Sequence, residues 1–129
     1  MGRKVAIIAS QGTLDTAYKV LNIATSAAAM DADVTIFFTF EGLMILTQPE
    51  SLQMAPGKEQ IQTAFGQAGL PSVKEMLDMA AESGVKLLGC QMSMDVMGIE
   101  KQHLFGSCEV GGAAAFLDYA FDADVTVTF

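Results

Sequence analysis

The feature that most limits the fold of this chain is a series of short apolar runs, each followed by a longer segment of helical periodicity. The clearest runs cover residues 4–9, 34–38 and 85–90. Nearly continuous β-branched and apolar runs are typical of strands that are buried on both faces of a parallel sheet. Because parallel strands need crossover connections, the intervening helical segments fit the same arrangement. The pattern therefore predicts an α/β domain.

Helix start and stop signals define several of the crossovers. Thr13 is suited to cap a helix over residues 14–30. Ser72 and Glu75 have the spacing of a capping box, and Gly84 is suited to end the helix that they begin. A weaker helical pattern covers residues 58–68, residues 42–46 begin a helix or line a pocket, and residues 125–129 are predicted to form a terminal strand.

The second half of the chain gives three further expectations. Ser93 is predicted to cap the helix that follows Cys90, so that Asp95 falls in its first turn. Residues 103–105 are predicted to form a short strand. Residues 110–112 are expected to lead into a last helix that presents these residues to a core: Ala113, Phe116, Leu117, Ala120 and Phe121.

Composition limits the size and the partners of the protein. With 129 residues, of which 51% are hydrophobic, the chain is expected to form one domain over residues 1–129. A net charge of −8 argues against a nucleic-acid partner and against anionic membrane surfaces. Charged residues make up 17% of the chain and the mean hydropathy is +0.38. This apolar excess predicts a homo-oligomer, in which a subunit interface covers part of the surface.

No apolar run approaches the length of a membrane span, and the first residues do not have the pattern of a signal peptide. A cytoplasmic location is therefore expected. The two cysteines are more typical of thiols with chemistry, or of core residues, than of a structural disulfide in such a protein.

The candidate site follows the carboxyl ends of the predicted strands, where parallel α/β sheets bind their ligands. After the first strand come Ser10, Gly12 and Thr13, and after the second come residues 40–43. After the third strand come Cys90, Gln91, Met92, Ser93 and Asp95.

Cys90 is the candidate nucleophile because a buried strand is predicted to pass into a helix at this position. Unpaired backbone N–H groups at a helix start favour a thiolate, which is the reactive form of cysteine. Asp95 would oppose a nearby thiolate through charge repulsion. The alternative interpretation of Cys90 is a small buried residue, since free cysteine is among the most buried residue types.

The other candidates have competing interpretations. Cys108 is a resolving thiol, a second sulfur-accepting thiol or a shielded turn residue. His103, the only histidine, either stabilises a thiolate from a loop or joins the cysteines and a carboxylate in a metal site. The irregular spacing argues against the metal site, and neither a metal nor a cofactor is predicted. Gly111 and Gly112 allow close approach of an anion or, alternatively, tight packing.

Two segments resemble those of a known family. Residues 90–99 read CQMSMDVMGI, and residues 109–113 read EVGGA. The CQMSMD run resembles the motif of single-domain proteins of the DsrE/DsrF-like family. The likeness extends from the strand at Val5 and the turn over residues 10–13 to the closing strand.

This resemblance implies a three-layer α/β/α domain with a mostly parallel sheet of about five strands, and homo-oligomeric assembly. It also implies sulfur relay between donor and acceptor proteins, by a sulfurtransferase or a sulfur carrier. In such proteins a cysteine holds sulfane sulfur as a persulfide. By this resemblance the acceptor is Cys90, whereas Cys108 lies outside the matching motif. Whether the protein turns over as an enzyme or acts only as a carrier stays open.

Two rival functions are compatible with the same sequence. Cys90 and Cys108 lie in one half of a small domain, which suggests a thiol redox switch that closes a disulfide. The high apolar content and the segment over residues 40–70 suggest a non-catalytic module that binds a small molecule or a protein.

Overall fold

A computed structural model describes residues 2–129, and its centre is a five-stranded parallel sheet. The strands are β1 (Lys4–Ala9), β2 (Asp33–Phe38), β3 (Lys86–Cys90), β4 (Glu109–Gly111) and β5 (Val125–Thr128). Their order across the sheet is β4-β3-β2-β1-β5, and every neighbouring pair is parallel. The predicted fold class, with about five mostly parallel strands, is confirmed.

Six helices connect the strands. They are α1 (Leu14–Ala29), α2 (Met44–Thr47), α3 (Glu59–Gln67), α4 (Val73–Glu82), α5 (Gln91–Met97) and α6 (Ala113–Ala120). Short 3₁₀ turns cover Phe40–Leu43 and Lys101–His103. None of the helices within residues 2–129 combines the length and the apolarity that a membrane span requires.

Side chains alternate between the two faces of the sheet and form two apolar clusters. The larger cluster contains Ile7, Ile36 and Leu87, which pack with buried residues of α1 and α4. The smaller cluster lies under α6 and consists of Ala6, Phe37, Leu88, Cys90 and Phe116. The rings of Phe37 and Phe116 stack in it with their centroids 4.8 Å apart. Helices therefore cover both faces, which gives the three-layer arrangement.

The predicted caps of two helices are confirmed. The Thr13 hydroxyl accepts a hydrogen bond from the Thr16 amide at 3.3 Å, which starts α1. In the capping box of α4, the Ser72 hydroxyl accepts from the Glu75 amide at 3.1 Å. The Glu75 carboxylate accepts in return from the Ser72 amide at 2.8 Å.

The predicted start of the helix after Cys90 is wrong. Cys90 itself is the N-cap residue of α5, with an extended backbone of φ −74° and ψ 118°, and the helix begins at the next residue. Ser93 therefore lies inside α5, and Asp95 lies beyond its first turn. The helix ends where Gly98 takes a left-handed backbone with φ 68°.

Two further predictions are corrected. Residues 103–105 form no strand, since the 3₁₀ turn over Lys101–His103 occupies this segment, and the edge strand is β4. Of the five residues predicted to face the core in the last helix, Phe116 is buried and Ala120 is half-buried. Ala113 is exposed, Leu117 is 45% exposed and Phe121 is 80% exposed. Leu117 and Phe121 therefore do not contribute to the core of the chain, although their spacing is helical.

Candidate functional site

Cys90 lies where β3 ends and α5 begins, at the carboxyl edge of the sheet. It is 4% exposed and packs in the smaller cluster, close to Phe37 and Phe116. On the neighbouring strand β4 its register partner is Gly111. A Cβ atom at Gly111 would come within 3.2 Å of Leu88 Cδ1 and 3.4 Å of Ala115 Cβ, so the backbone of Gly111 is closely packed. Cys90 forms no disulfide bond, and it is buried on the face of the sheet that α6 covers.

The residues of α5 divide into an inner and an outer side. Cys90, Ser93 and Met94 are buried, Cys90 in the smaller apolar cluster and Met94 in the larger one. Gln91 and Asp95 are exposed, and the Gln91 Nε2 donates a hydrogen bond to Asp95 Oδ1 at 2.9 Å. This contact holds the Asp95 carboxylate on the solvent side of α5, so its charge does not face the buried thiol.

Met92 lies on the outer side of α5, where it is 61% exposed. It lies two residues after Cys90, so it is available to form part of a binding surface near the start of α5. Met92 is therefore not part of the apolar core.

The segment after β2 is the second element at this edge. The 3₁₀ turn Phe40–Leu43 contacts both β3 and α5. Phe40 has a positive φ of 46°, which is strained for an aromatic residue, and Gly42 is buried. A Cβ atom at Gly42 would collide with the Ala9 carbonyl oxygen, so only glycine allows this close approach. The structure thus brings residues 40–43 next to the Cys90 segment, as the topology predicts.

The loop after β1 is held by structural hydrogen bonds. The amide and the hydroxyl of Ser10 both donate to the Phe129 carbonyl oxygen at 2.8 Å. Thr13 caps α1, and a Cβ atom at Gly12 would collide with the Glu41 carbonyl oxygen. Ser10, Gly12 and Thr13 therefore have clear structural roles, and a role in substrate binding stays a prediction.

Cys108 lies away from Cys90, in the larger cluster on the other face of the sheet. It is 3% exposed, and its Sγ donates a hydrogen bond to the Glu109 carbonyl oxygen at 3.2 Å. Burial raises the pKa of this thiol to about 11, and the Gly89 amide and Lys101 only partly oppose that effect. Cys108 is therefore a neutral thiol near pH 7 and a poor nucleophile.

His103 and Gly112 are exposed. The Nδ1 atom of His103 accepts a hydrogen bond from the Glu100 amide at 3.0 Å, within its own 3₁₀ turn. Gly112 is the N-cap residue of α6. Within residues 2–129, no three or more His, Cys, Asp or Glu residues are grouped so that they could hold a metal ion.

A cavity of about 600 Å³ opens on the α4 side of the protein. Its lining includes Lys74, Asp78, Leu104 and Ser107, but Cys90 does not contribute to it. This cavity lies beside the loop that carries Cys108. It was not apparent from the sequence, because its lining residues come from separate segments of the chain.

The fold and the position of Cys90 define a three-layer α/β/α protein with a thiol at the carboxyl edge of its parallel sheet. The chain belongs to the DsrE/DsrF/DrsH-like family, whose family model matches residues 2–65 and 54–128. This finding confirms the resemblance inferred from the CQMSMD run.

Among curated proteins, the chain is 30% identical to the sulfur carrier protein DsrE2 of Allochromatium vinosum, over 95% of this chain and 96% of the relative. It is 28% identical to YrkE of Bacillus subtilis, over 97% and 96% of the two chains.

Two solved structures share the fold. The E. coli ychN protein superimposes with a TM-score of 0.75 at 18% identity, covering 98% of this chain and 99% of that one. The protein MTH1491 of Methanobacterium thermoautotrophicum gives a TM-score of 0.64 at 10% identity, covering 97% and 98% of the two chains. At these identities the likeness concerns the fold alone.

Proposed function

We propose that this protein is a sulfur carrier that holds sulfane sulfur as a persulfide on Cys90 and passes it to an acceptor protein. The observation that carries the proposal is the position of Cys90 at the β3–α5 junction, within the CQMSMD run. The sulfur carrier DsrE2, which is similar to this chain along nearly its whole length, supports the same role.

The chemistry requires one cysteine and no cofactor. The Cys90 thiolate attacks the terminal sulfur of a polysulfide or of a donor persulfide. A bond forms between Sγ and that sulfur, the S–S bond of the donor breaks, and the shortened donor leaves with the electron pair as a thiolate. Attack by an acceptor thiolate on the outer sulfur reverses these steps and regenerates Cys90. Because Cys90 is the N-cap residue, unpaired first-turn amides of α5 are suited to stabilise the negative charge that Sγ carries as the attacking group and again as the leaving group.

Burial of Cys90 suits a carrier. A persulfide that is exposed to water and to small thiols is readily lost by exchange, whereas the cover over Cys90 would shield it. Since the residue is only 4% exposed, loading requires a local displacement of α5 or α6. A donor protein that binds at the exposed Met92 is suited to cause this movement.

We also propose that the protein assembles as a homo-oligomer. Two large apolar side chains are exposed one helical turn apart, on α6 and at its end. They are Leu117 (45% exposed) and Phe121 (80%). A subunit interface at this surface would remove these side chains from water.

The sulfur-carrier proposal is tested by intact-protein mass spectrometry after incubation with a polysulfide. The wild type is compared with Cys90→Ser and with Cys108→Ala. A reductant-sensitive gain of sulfur that requires Cys90 and does not require Cys108 supports the proposal. A gain that persists in Cys90→Ser rejects it.

A further inference from the structure

Ser93 carries a buried hydroxyl that has no evident structural role. The residue is fully buried, and its Oγ makes no hydrogen bond with any group of residues 2–129. Burying a polar group without a partner is unfavourable, and folded proteins pair nearly all such groups. An unpaired hydroxyl next to a reactive thiol therefore suggests a partner that arrives during function.

The position of Ser93 in α5 directs it towards Cys90. Cys90 is the N-cap residue and Ser93 is the third residue of the helix, three positions further on, a spacing at which residues are neighbours on one side of a helix. Both are buried on the inner side of α5, whereas Gln91, Met92 and Asp95 lie on its outer side. The thiol and the hydroxyl are thus both buried, within one turn of each other at the start of α5.

We propose that Ser93 binds the outer sulfur of a Cys90 persulfide by donating its O–H to the perthiolate. This inference rests on the sulfur-carrier function proposed above. In the thiol state no hydrogen bond joins Cys90 and Ser93. A persulfide extends the side chain by one S–S bond of about 2.05 Å, which brings a charged sulfur to the unpaired hydroxyl.

The effect of this contact is specific to the loaded state. A hydroxyl donates more strongly to an anionic sulfur than to a neutral thiol, so the bond stabilises the perthiolate relative to the resting thiol. Ser93 takes no part in bond formation: the sulfur, its electron pair and the leaving thiolate follow the exchange described above. Ser93 therefore controls how firmly sulfur is held.

Thr35 provides a matched control. It is the other residue within 2–129 whose buried hydroxyl lacks a partner. The neighbouring Tyr119 hydroxyl donates instead to the backbone oxygens of Val5 at 3.2 Å and Asp33 at 2.7 Å. Thr35 pairs with Lys86 at the start of β3, whereas Cys90 ends that strand. Thr35→Val thus removes a buried hydroxyl at the opposite end of the same sheet, where the Tyr119 hydroxyl is its polar neighbour.

The test measures the equilibrium constant for sulfur exchange between the protein and a small-molecule persulfide, by intact mass, in wild type, Ser93→Ala and Thr35→Val. We expect Ser93→Ala to lower this constant about tenfold, the loss that corresponds to one hydrogen bond to a charged group. Thr35→Val should leave it unchanged. The melting temperature of the thiol form should stay the same or rise in Ser93→Ala, because no hydrogen bond is lost and alanine favours helix.

Equal exchange constants in wild type and Ser93→Ala would overturn the inference. A Ser93→Ala protein whose thiol form melts lower than wild type would also overturn it, because that result shows a structural hydroxyl. Absence of any persulfide on the wild type would reject the sulfur-carrier function and this inference together. The wild-type arm therefore distinguishes the two failures.

Discussion

Cys90 and Cys108 lie on opposite faces of the sheet. Cys90 follows Leu88 on the face covered by α6, and Cys108 precedes Val110 on the face covered by α1 and α4. Each thiol is packed in its own apolar cluster, and the sheet separates them. A disulfide within one chain would require a rearrangement of the β3–β4 edge, since bridged cysteines need Cβ atoms that face each other.

Mild oxidation should therefore form no disulfide between Cys90 and Cys108 of the same chain. The measurement is thiol counting under denaturing conditions, together with migration on a non-reducing gel. Cys108→Ala serves as the control because it cannot form the bridge. A compact monomer band that appears in the wild type only, with the loss of both thiols, would favour the redox switch over the carrier.

Cys108 should make stability depend on alkaline pH. Burial raises its pKa from the ordinary 9.0 to about 11, so the unfolded chain loses this proton at lower pH than the folded chain. The stabilisation is complete below the ordinary value and is lost as the pH rises through the folded-state pKa. The wild type should thus lose stability relative to Cys108→Ala between pH 9 and about 11 in urea titrations. Parallel curves for the two proteins would contradict the burial of this thiol.

Asp15 should stabilise the fold at neutral pH. Its Oδ1 accepts from the Ala55 amide at 3.0 Å, and Lys58 Nζ lies 3.5 Å from Oδ2. Burial raises the pKa of this carboxyl, but hydrogen bonds from Thr13 and Ala55 and the charge of Lys58 together lower it below its usual value. Asp15→Asn should lower the free energy of unfolding by about 1–3 kcal/mol at neutral pH.

The difference between wild type and Asp15→Asn should shrink in acid. The carboxylate contributes above its ordinary pKa, and the contribution is lost as the pH falls through the lower folded-state pKa. Urea denaturation at several pH values measures this difference. The exposed Asp78, changed to Asn, is the control and should have little effect. A constant difference down to strongly acidic pH would exclude ionisation of Asp15 as its cause.

The surface formed by Leu117 and Phe121 should be the subunit interface. Phe121→Glu introduces a charge there, so it should reduce the mass of the assembly in light scattering after gel filtration. Met79→Glu is the control, because Met79 is 46% exposed and lies on α4, on the opposite face of the sheet. A monomeric wild type, or an assembly that Phe121→Glu leaves intact, would contradict the proposed homo-oligomer.

Most of the fold follows from local signals in the sequence. The apolar runs locate β1, β2 and β3, and the caps at Thr13 and Ser72 locate α1 and α4. Strand β4 was not predicted, because three residues that include a glycine carry no measurable periodicity. The order of the strands in the sheet depends on contacts between segments that are distant in sequence. No local sequence pattern predicts this order.

The sequence predicts where Cys90 lies but not its surroundings. An apolar run that stops at Cys90 predicts a thiol at the end of β3, and the structure has it there. Serine favours the N-cap position, so the sequence predicts Ser93 as the cap. The backbone of Cys90 already provides the turn, which places Ser93 inside the helix. Cys108 and Cys90 are separated because their side chains point to opposite faces of the sheet. The sequence does not predict this, because it depends on the pairing of β3 with β4.

The most direct test of the sulfur-carrier account is the mass of the intact protein after exposure to a polysulfide, before and after reduction. The account predicts that wild type and Cys108→Ala each gain one sulfur atom that reductant removes, and that Cys90→Ser gains none. An unchanged gain in Cys90→Ser, or no gain in the folded wild type, would contradict it.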